Sequence, residues 1–517
     1  MVYYVPTNQN YEGEWRTFYS TPMLLARDLK AEIPEIVRSA ATSPQNLLFT
    51  EDDNAVNRRG RYANADFFEI FSLQFVEGNG KTAFDRPDAI VLTQKTVSDL
   101  FGSNTPVLNK VLRVDNTDNY VITGVVKNLP RNVSFGFDWL APFERYSSGV
   151  EWMQEYGSNF TDTFVELAPG ADFDEVEAKV RKMIPSKIEQ AQTYAFLHPM
   201  KDWHLRSKFE GGKKVGGQIT YVRLFTLIAL IILLIACINF MNLSTARSEK
   251  RAREVGVRKV LGSGRKSLIS QFMAEAMITA SIAATVSILL LIMLLPQFNV
   301  IVEKQIELRL FDPLHVLPLL GITLICGLLA GWYPALYLSS FKPVEIIKGV
   351  NTKDGTATLI RKGLVVAQFG VSIIFIISTI IVYQQVRHVK SRDMGYQKEN
   401  LIKMNVNGDM VKNFNPIKQD MIASGMIENV ALNNSEILSS GNDGSGFEWQ
   451  GGTNTEDVLI SFRHISSNFL ETAGMKIVDG RGFGENVASD SSNVMISQSL
   501  AKMMGARSAV GKTISRG

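Results

Sequence analysis

Residues 506–515 read "ARSAVGKTIS", a small residue and four arbitrary ones followed by Gly511-Lys512-Thr513. In that spacing, backbone N–H groups and the Lys512 ammonium converge on phosphates if a buried strand precedes the loop and a helix follows it. Only residues 514–517 follow Thr513 in this sequence, too few for such a helix, so what precedes the motif must decide. Cys237 and Cys326 both lie in apolar surroundings and read as small buried residues, without a disulfide or metal framework. His198, His204, His315, His388 and His464 show no metal-ligand spacing and read as scattered surface or interface residues. Neither a metal nor an organic cofactor is expected.

The elements around these residues are uneven. A chain of 517 residues holds several domains, and a net charge of +3 implies no general attraction to nucleic acid. Charge is plentiful before Arg223 and then almost vanishes in four blocks, 224–246, 276–302, 313–341 and 363–386. Each exceeds the roughly 20 apolar residues that cross a bilayer core. A buried helix of a large soluble protein keeps a polar edge, whereas "LFTLIALIILLIACINF" is apolar all round. Four transmembrane helices are therefore expected.

Loop charge orients them. Between the first two spans stand Arg247, Lys250, Arg251, Arg253, Arg258, Lys259, Arg265 and Lys266 against Glu249 and Glu254; the loop after the third span adds Lys342, Lys348, Lys353 and Arg361. Basic loops stay in the cytoplasm, so segments 1–220 and 387–517 are expected to face outward. The opening "MVYYVPTNQNYEGEW" has no basic n-region, apolar h-region or cleavage site. Export of the first segment then requires a further span upstream of Met1.

Segment 1–220 reads as a mixed α+β domain. "KVLRVDNTDNYVITGVV" predicts two strands around a polar turn at 116–119. "ADFDEVEAKVRKMI" places Phe173, Val176, Val180 and Met183 on one helical face after a capping Asp. "GGKKVGG", 211–217, reads as a plain juxtamembrane linker. The second outward segment repeats the first: "ADFFEIFSLQFVEG" aligns with "SNFLETAGMKIVDG", "AIVLTQ" with "NVMISQ", and "NKVL" with "GKTI". Lys512 is then the counterpart of Lys110, whose neighbours Asn109 and Val111 form no phosphate loop. The Gly-Lys-Thr run is expected to be a turn into a strand. The same register, about 402 residues, puts a counterpart of the fourth span roughly 16 to 39 residues before Met1, and about 230 residues of the second copy beyond Gly517.

Between the spans, Glu249, Glu254 and the basic residues make a charged helix with Val255, Val257, Val260 and Leu261 as its few apolar contacts, broken by Gly262 and Gly264. On charge alone, such a loop equally fits topology and contact with anionic lipid. Pro334 should bend the third span, and Gly331 beside Trp332 permits close helix packing.

"CINFMNLSTARSEKRAREVGVRKVLGSGRKSLISQFMAEA", 237–276, resembles the first inner loop of ABC transporter permeases of the MacB/FtsX family, and "GWYPALYLSSFKPVEIIKG", 331–349, resembles the exit of that family's third span. The resemblance implies an α-helical membrane protein with α+β extracytoplasmic domains: a MacB-like periplasmic core domain at 1–220, an FtsX-like permease domain with three transmembrane helices at 221–341, a cytoplasmic linker at 342–361, a fourth transmembrane helix at 362–386 and a truncated second periplasmic core domain at 387–517. It implies a permease that is not itself catalytic, in a bacterial inner membrane. That permease couples a separate, dimeric ABC-type ATPase to the outer domains for export, lipoprotein release or mechanotransmission. Its partners are that ATPase, the lipid bilayer and a periplasmic adaptor, with no nucleic acid. The residues matching the family's ATPase-coupling loop are Glu254, Gly256, Val257, Arg258, Lys259 and Gly262. A sensor or signalling receptor with extracytoplasmic ligand-binding domains is the alternative; it needs an output domain, for which the inner loops are short. A membrane enzyme needs converging charged residues inside the spans, which none of the four blocks supplies.

Overall fold

The computed structural model describes residues 1–517 apart from 12, 52–53, 103–104, 131–132, 190, 341–354, 407, 439–441, 451–457, 485–489, 506–507 and 517, and without the side chains of 244–253, 337–338, 340, 355–358, 360–361, 408 and 516. Lys342, Lys348 and Lys353 of the third inner segment lie outside the described residues. The chain divides into two compact units, Met1–Thr220 with Asp393–Gly517, and Tyr221–Arg392.

In the first unit, Ala89–Thr93 carries four apolar residues in succession before Thr93, and it is buried at every position, as a strand covered on both faces must be. It belongs to an 11-stranded sheet. The main path runs His198–Pro199, Val2–Tyr4, Asn159–Leu167, Ile36–Glu51, Asn54–Ala63, Trp139–Pro142, Ala89–Thr93, Asp118–Val126 and Phe75–Glu77. Asn54–Ala63 with Trp139–Pro142, and Ala89–Thr93 with Asp118–Val126, pair in parallel within a mainly antiparallel ladder. With helices Met23–Glu32 and Phe173–Lys187 on it, this is the α+β domain expected.

Local chemistry explains the elements and two departures. The strands Val111–Val114 and Asp118–Val126 pair as expected, but the turn falls one residue early, because Asp115 and Asn116 adopt φ of 49° and 60°. Two successive positive φ values suit a tight hairpin, and the Asp115 carboxylate accepts the Leu48 N–H at 2.9 Å. Asp172 caps its helix by accepting from the N–H groups of Asp174 and Glu175 at 2.9 and 3.2 Å. Val176, Val180 and Met183 are buried below it, whereas Phe173, in the first turn, is 38% exposed and lies 5.5 Å from the Tyr3 ring. The "GGKKVGG" run is not a linker. Lys208–Glu210 and Lys213–Gly216 form a hairpin around Gly211 and Gly212, whose φ of 55° and 70° a side chain rarely tolerates. The hairpin is pinned by the Asn8 amide donating to the Gly212 carbonyl (2.9 Å) and by Lys214 on Asp202 (3.0 Å).

The repeat is visible in the backbone. Positive φ recurs at Ser72 and Gly474, Gly78 and Gly480, Gly102 and Gly505, and Asn109 and Gly511. Thr93 caps Gln94–Phe101 as Ser497 caps Gln498–Met503, each hydroxyl accepting the N–H three residues on. Phe49 pairs with Val114 as Phe447 pairs with Arg516. The Lys110 and Lys512 N–H groups donate to Val107 and Ala509 carbonyls at 3.1 and 3.2 Å. After Lys512 comes the strand Ile514–Arg516, so the Gly-Lys-Thr run lacks the helix that a phosphate loop needs. Lys512→Ala is accordingly expected to leave nucleotide binding by the protein or its complexes unchanged in equilibrium dialysis with labelled ATP. A loss of binding in a folded variant would overturn this assignment.

Among the described residues, four helices are long and apolar enough to span a bilayer. They are Gln218–Val260, Arg265–Val302, Pro313–Ser340 and Gly355–Ser391. The charged stretch after the first span is not a separate short helix: Gln218–Val260 runs unbroken through it. Lys, Arg, Glu and Ala are good helix formers, and no Gly or Pro interrupts 244–255, so nothing in the sequence stops the helix at the membrane exit. The second and third spanning helices pack closely through small residues. A Cβ at Gly331 would lie 2.8 Å from the Ala276 Cβ and 3.1 Å from the Met273 Sδ, one at Gly327 would collide with the Met277 Sδ, and Ala335 is buried one turn on. The third helix continues through Pro334 to Ser340.

Candidate coupling site

The first spanning helix ends in a glycine-terminated cap. Gly262 takes a φ of 95°, its N–H donates to the Lys259 carbonyl at 3.1 Å, and the Ser263 N–H donates to the Arg258 carbonyl at 2.9 Å. This pattern needs a residue that tolerates positive φ at the helix exit, which is why glycine stands there. Gly264 is extended and opens the next helix at Arg265. The two long helices are thus joined by a turn of residues 261–264.

That cap sorts the six predicted residues onto different faces. Val255 is 3% exposed and Gly256 is buried, as is Leu268 across the turn. On the opposite face Val257 is 53% exposed, Val260 64% and Leu261 81%. Spacings of three and four residues place these three side chains side by side, an apolar patch at the tip of a charged helix. Arg258 holds the turn: its guanidinium donates to the Glu254 carboxylate one turn back and to the Gln271 amide oxygen on the next helix, both at 2.7 Å. The Glu254–Arg258 pair is solvent-exposed and adds only about 0.3 to 0.5 kcal/mol to the helix.

Lys259 points the other way. Its Nζ donates to the main-chain carbonyl of Ser339 in the third spanning helix at 2.7 Å, and Arg265 Nε approaches the Ser339 hydroxyl at 3.4 Å. Ser339 is 1% exposed. Burial, with the neighbouring Arg265 charge, pushes the Lys259 ammonium below the ordinary lysine range. The sequence singled out Lys259, Arg258 and Glu254, but not Ser339 or Gln271. A serine and a glutamine on helices carry no signal until the helices are packed.

Taken together, Glu254, Val257 and Arg258 are offered outward, Gly256 and Lys259 are turned into the helix bundle, and Gly262 shapes the exit. An exposed apolar patch beside a charged pair on a helix end is a candidate contact surface.

Residues 2–183 match the family described as MacB-like periplasmic core domain, and residues 226–343 match FtsX-like permease C-terminal. A macrolide export ATP-binding/permease protein, MacB, of Salmonella paratyphi A is 27% identical over 317 residues, 58% of this chain and 44% of the relative. The protein of the same description from Escherichia coli K12 is 24% identical over 329 residues, 61% of this chain and 47% of the relative. The chain thus spans less than half the length of the curated relatives it matches. Among solved structures, a domain of a putative permease protein from Porphyromonas gingivalis aligns at a TM-score of 0.34 and 19% identity, covering 38% of this chain and 89% of that one. The periplasmic region of MacB from Actinobacillus actinomycetemcomitans aligns at 0.29 and 13%, covering 37% of this chain and 88% of that one.

Proposed function

The chain belongs to the MacB/FtsX family of ABC-type permeases, and from that premise we propose that it is the membrane subunit through which a separate cytoplasmic ATPase moves the outer domains. The observation that carries this reading is the Val257, Val260 and Leu261 patch, held at a capped helix end beside Glu254 and Arg258. The patch is the docking face, and an ATPase groove with an apolar floor and a charged rim is its partner. The curated relatives are described as ATP-binding/permease proteins; in this system hydrolysis belongs to a partner subunit and the present chain transmits it. Export of a small molecule, release of a lipoprotein and mechanical control of an outer enzyme are all served by the same transmission. Copurification of an ATPase with the native membrane protein tests the assignment.

The bacterial inner membrane and the outward placement of 1–220 and 387–517 belong to the same proposal, supported by the loop charges. Lys304→Cys, an exposed position between the second and third spans, is expected to react with an impermeant thiol reagent in cells whose outer membrane is permeabilised. Lys266→Cys, exposed beside the Gly262 turn, is expected to react only after lysis. The reverse pattern would invert the topology.

A further inference from the structure

We infer that Lys259 is a positioning residue that latches the ATPase-coupling helix end to the third spanning helix, so that a push on the docking face is delivered there. This rests on the docking reading above and adds the route by which the push leaves the site. Within the third spanning helix, Pro313–Ser340, the Ser339 carbonyl receives the Lys259 ammonium at 2.7 Å. The Ser339 hydroxyl is turned back onto the Leu336 carbonyl at 3.0 Å, with Arg265 on its other side. This carbonyl therefore belongs to a packed, 1% exposed residue, where a charge-assisted bond is short and directional.

The docking patch and the latch are carried by the same turn of helix on opposite faces. Val257, Val260 and Leu261 point out, Lys259 points in, and the Gly262 cap closes the turn just beyond them. The receiving helix is in turn locked to the second spanning helix by the Gly327, Gly331 and Ala335 contacts. Force applied at the patch thus reaches the third spanning helix through the Lys259 ammonium, while the Arg258–Gln271 bond and the short turn tie the same helix end to the second. Val255 and Gly256, buried beside Lys259, bring no polar side chain to that face.

The test uses the full chain co-expressed with its ATPase in membranes. Lys259→Met keeps the length and apolar stem while removing the charge; Lys259→Arg keeps a cationic donor. The expected result is that Lys259→Met retains the ATPase on copurification but loses cargo-stimulated hydrolysis roughly tenfold, the size of one charge-assisted contact, with Lys259→Arg partly restoring it. A second readout is thiol labelling of Ser339→Cys, a position 1% exposed and held through its main-chain carbonyl, which should speed up in the Lys259→Met background. Full stimulated hydrolysis and unchanged labelling in Lys259→Met would overturn the latch while leaving docking intact. Loss of the ATPase in Lys259→Met would also overturn it, by placing Lys259 on the docking face. Failure of the docking reading itself would show separately, as normal ATPase association in Val257→Asp.

Discussion

Val257→Asp is expected to abolish copurification of the ATPase subunit while the permease still inserts and folds. Val257 is 53% exposed at the end of a long helix, so the substitution removes little packing from the permease itself. Its cost there is a carboxylate near a helix C-terminus, about 0.3 to 1 kcal/mol. In a docked complex the same carboxylate would be buried without a partner, at about 3 to 5 kcal/mol, or a hundredfold or more in affinity. Glu254→Ala is the companion test, because it separates docking from topology. Removing an acid makes the loop more basic, which strengthens lipid attraction and retention inside, and the exposed pair with Arg258 is lost at small cost. If Glu254 touches the ATPase, its removal forfeits a charge-assisted contact of about 1.5 to 3 kcal/mol and weakens the complex about tenfold or more. Pull-down and hydrolysis measured on both variants decide the matter: normal assembly and coupled turnover in both would return the loop to a topology signal.

Gly331→Leu is expected to be the most damaging single change in the membrane unit. The new Cβ would stand 2.8 Å from the Ala276 methyl, which cannot swing aside because it is fixed to the backbone. The second and third spanning helices would have to separate along the Gly327–Gly331–Ala335 seam, at the cost of about 1 to 3 kcal/mol typical of an overpacked core and of looser packing along the rest of the seam. Gly321→Leu is the matched control, since a Cβ there meets nothing within 4 Å. Thermal unfolding in detergent, followed by retention on size-exclusion chromatography, should show Gly331→Leu melting well below the parent and Gly321→Leu close to it. Equal melting of the two variants would mean that the seam is not closed as described.

Several features could be read directly along the chain because they are local. Four uncharged blocks are long enough to span a bilayer whatever they pack against, and each corresponds to a helix. The capping Asp172 and the glycine break at Gly262 act through backbone groups within a few residues, and both stand where expected. The repeat is a matter of pattern, and the recurrent positive φ at Ser72 and Gly474 or Gly78 and Gly480 follows it. Where local cues were ambiguous, they misled. "GGKKVGG" has the composition of a linker, yet its glycines serve a tight turn held from outside by Asn8 and Asp202. The charged helix after the first span continues that span, since helix propensity does not change where the solvent does.

What the amino-acid order determined by itself is therefore the inventory: the spans, the caps, the duplicated α+β pattern and the loop that carries Glu254 to Gly262. Only the tertiary structure decided which way each residue of that loop faces. Val257 and Lys259 are two positions apart and equally suited to contact in the sequence, but two residues on a helix are separated by about 200° around its axis. Which side of that circle is free depends on where the third spanning helix packs. Its Ser339 carbonyl, far along the chain, captures Lys259 and leaves Val257 in the open. A bond of that kind joins a side chain to a main-chain oxygen, which every residue possesses, so no residue type marks it in the sequence.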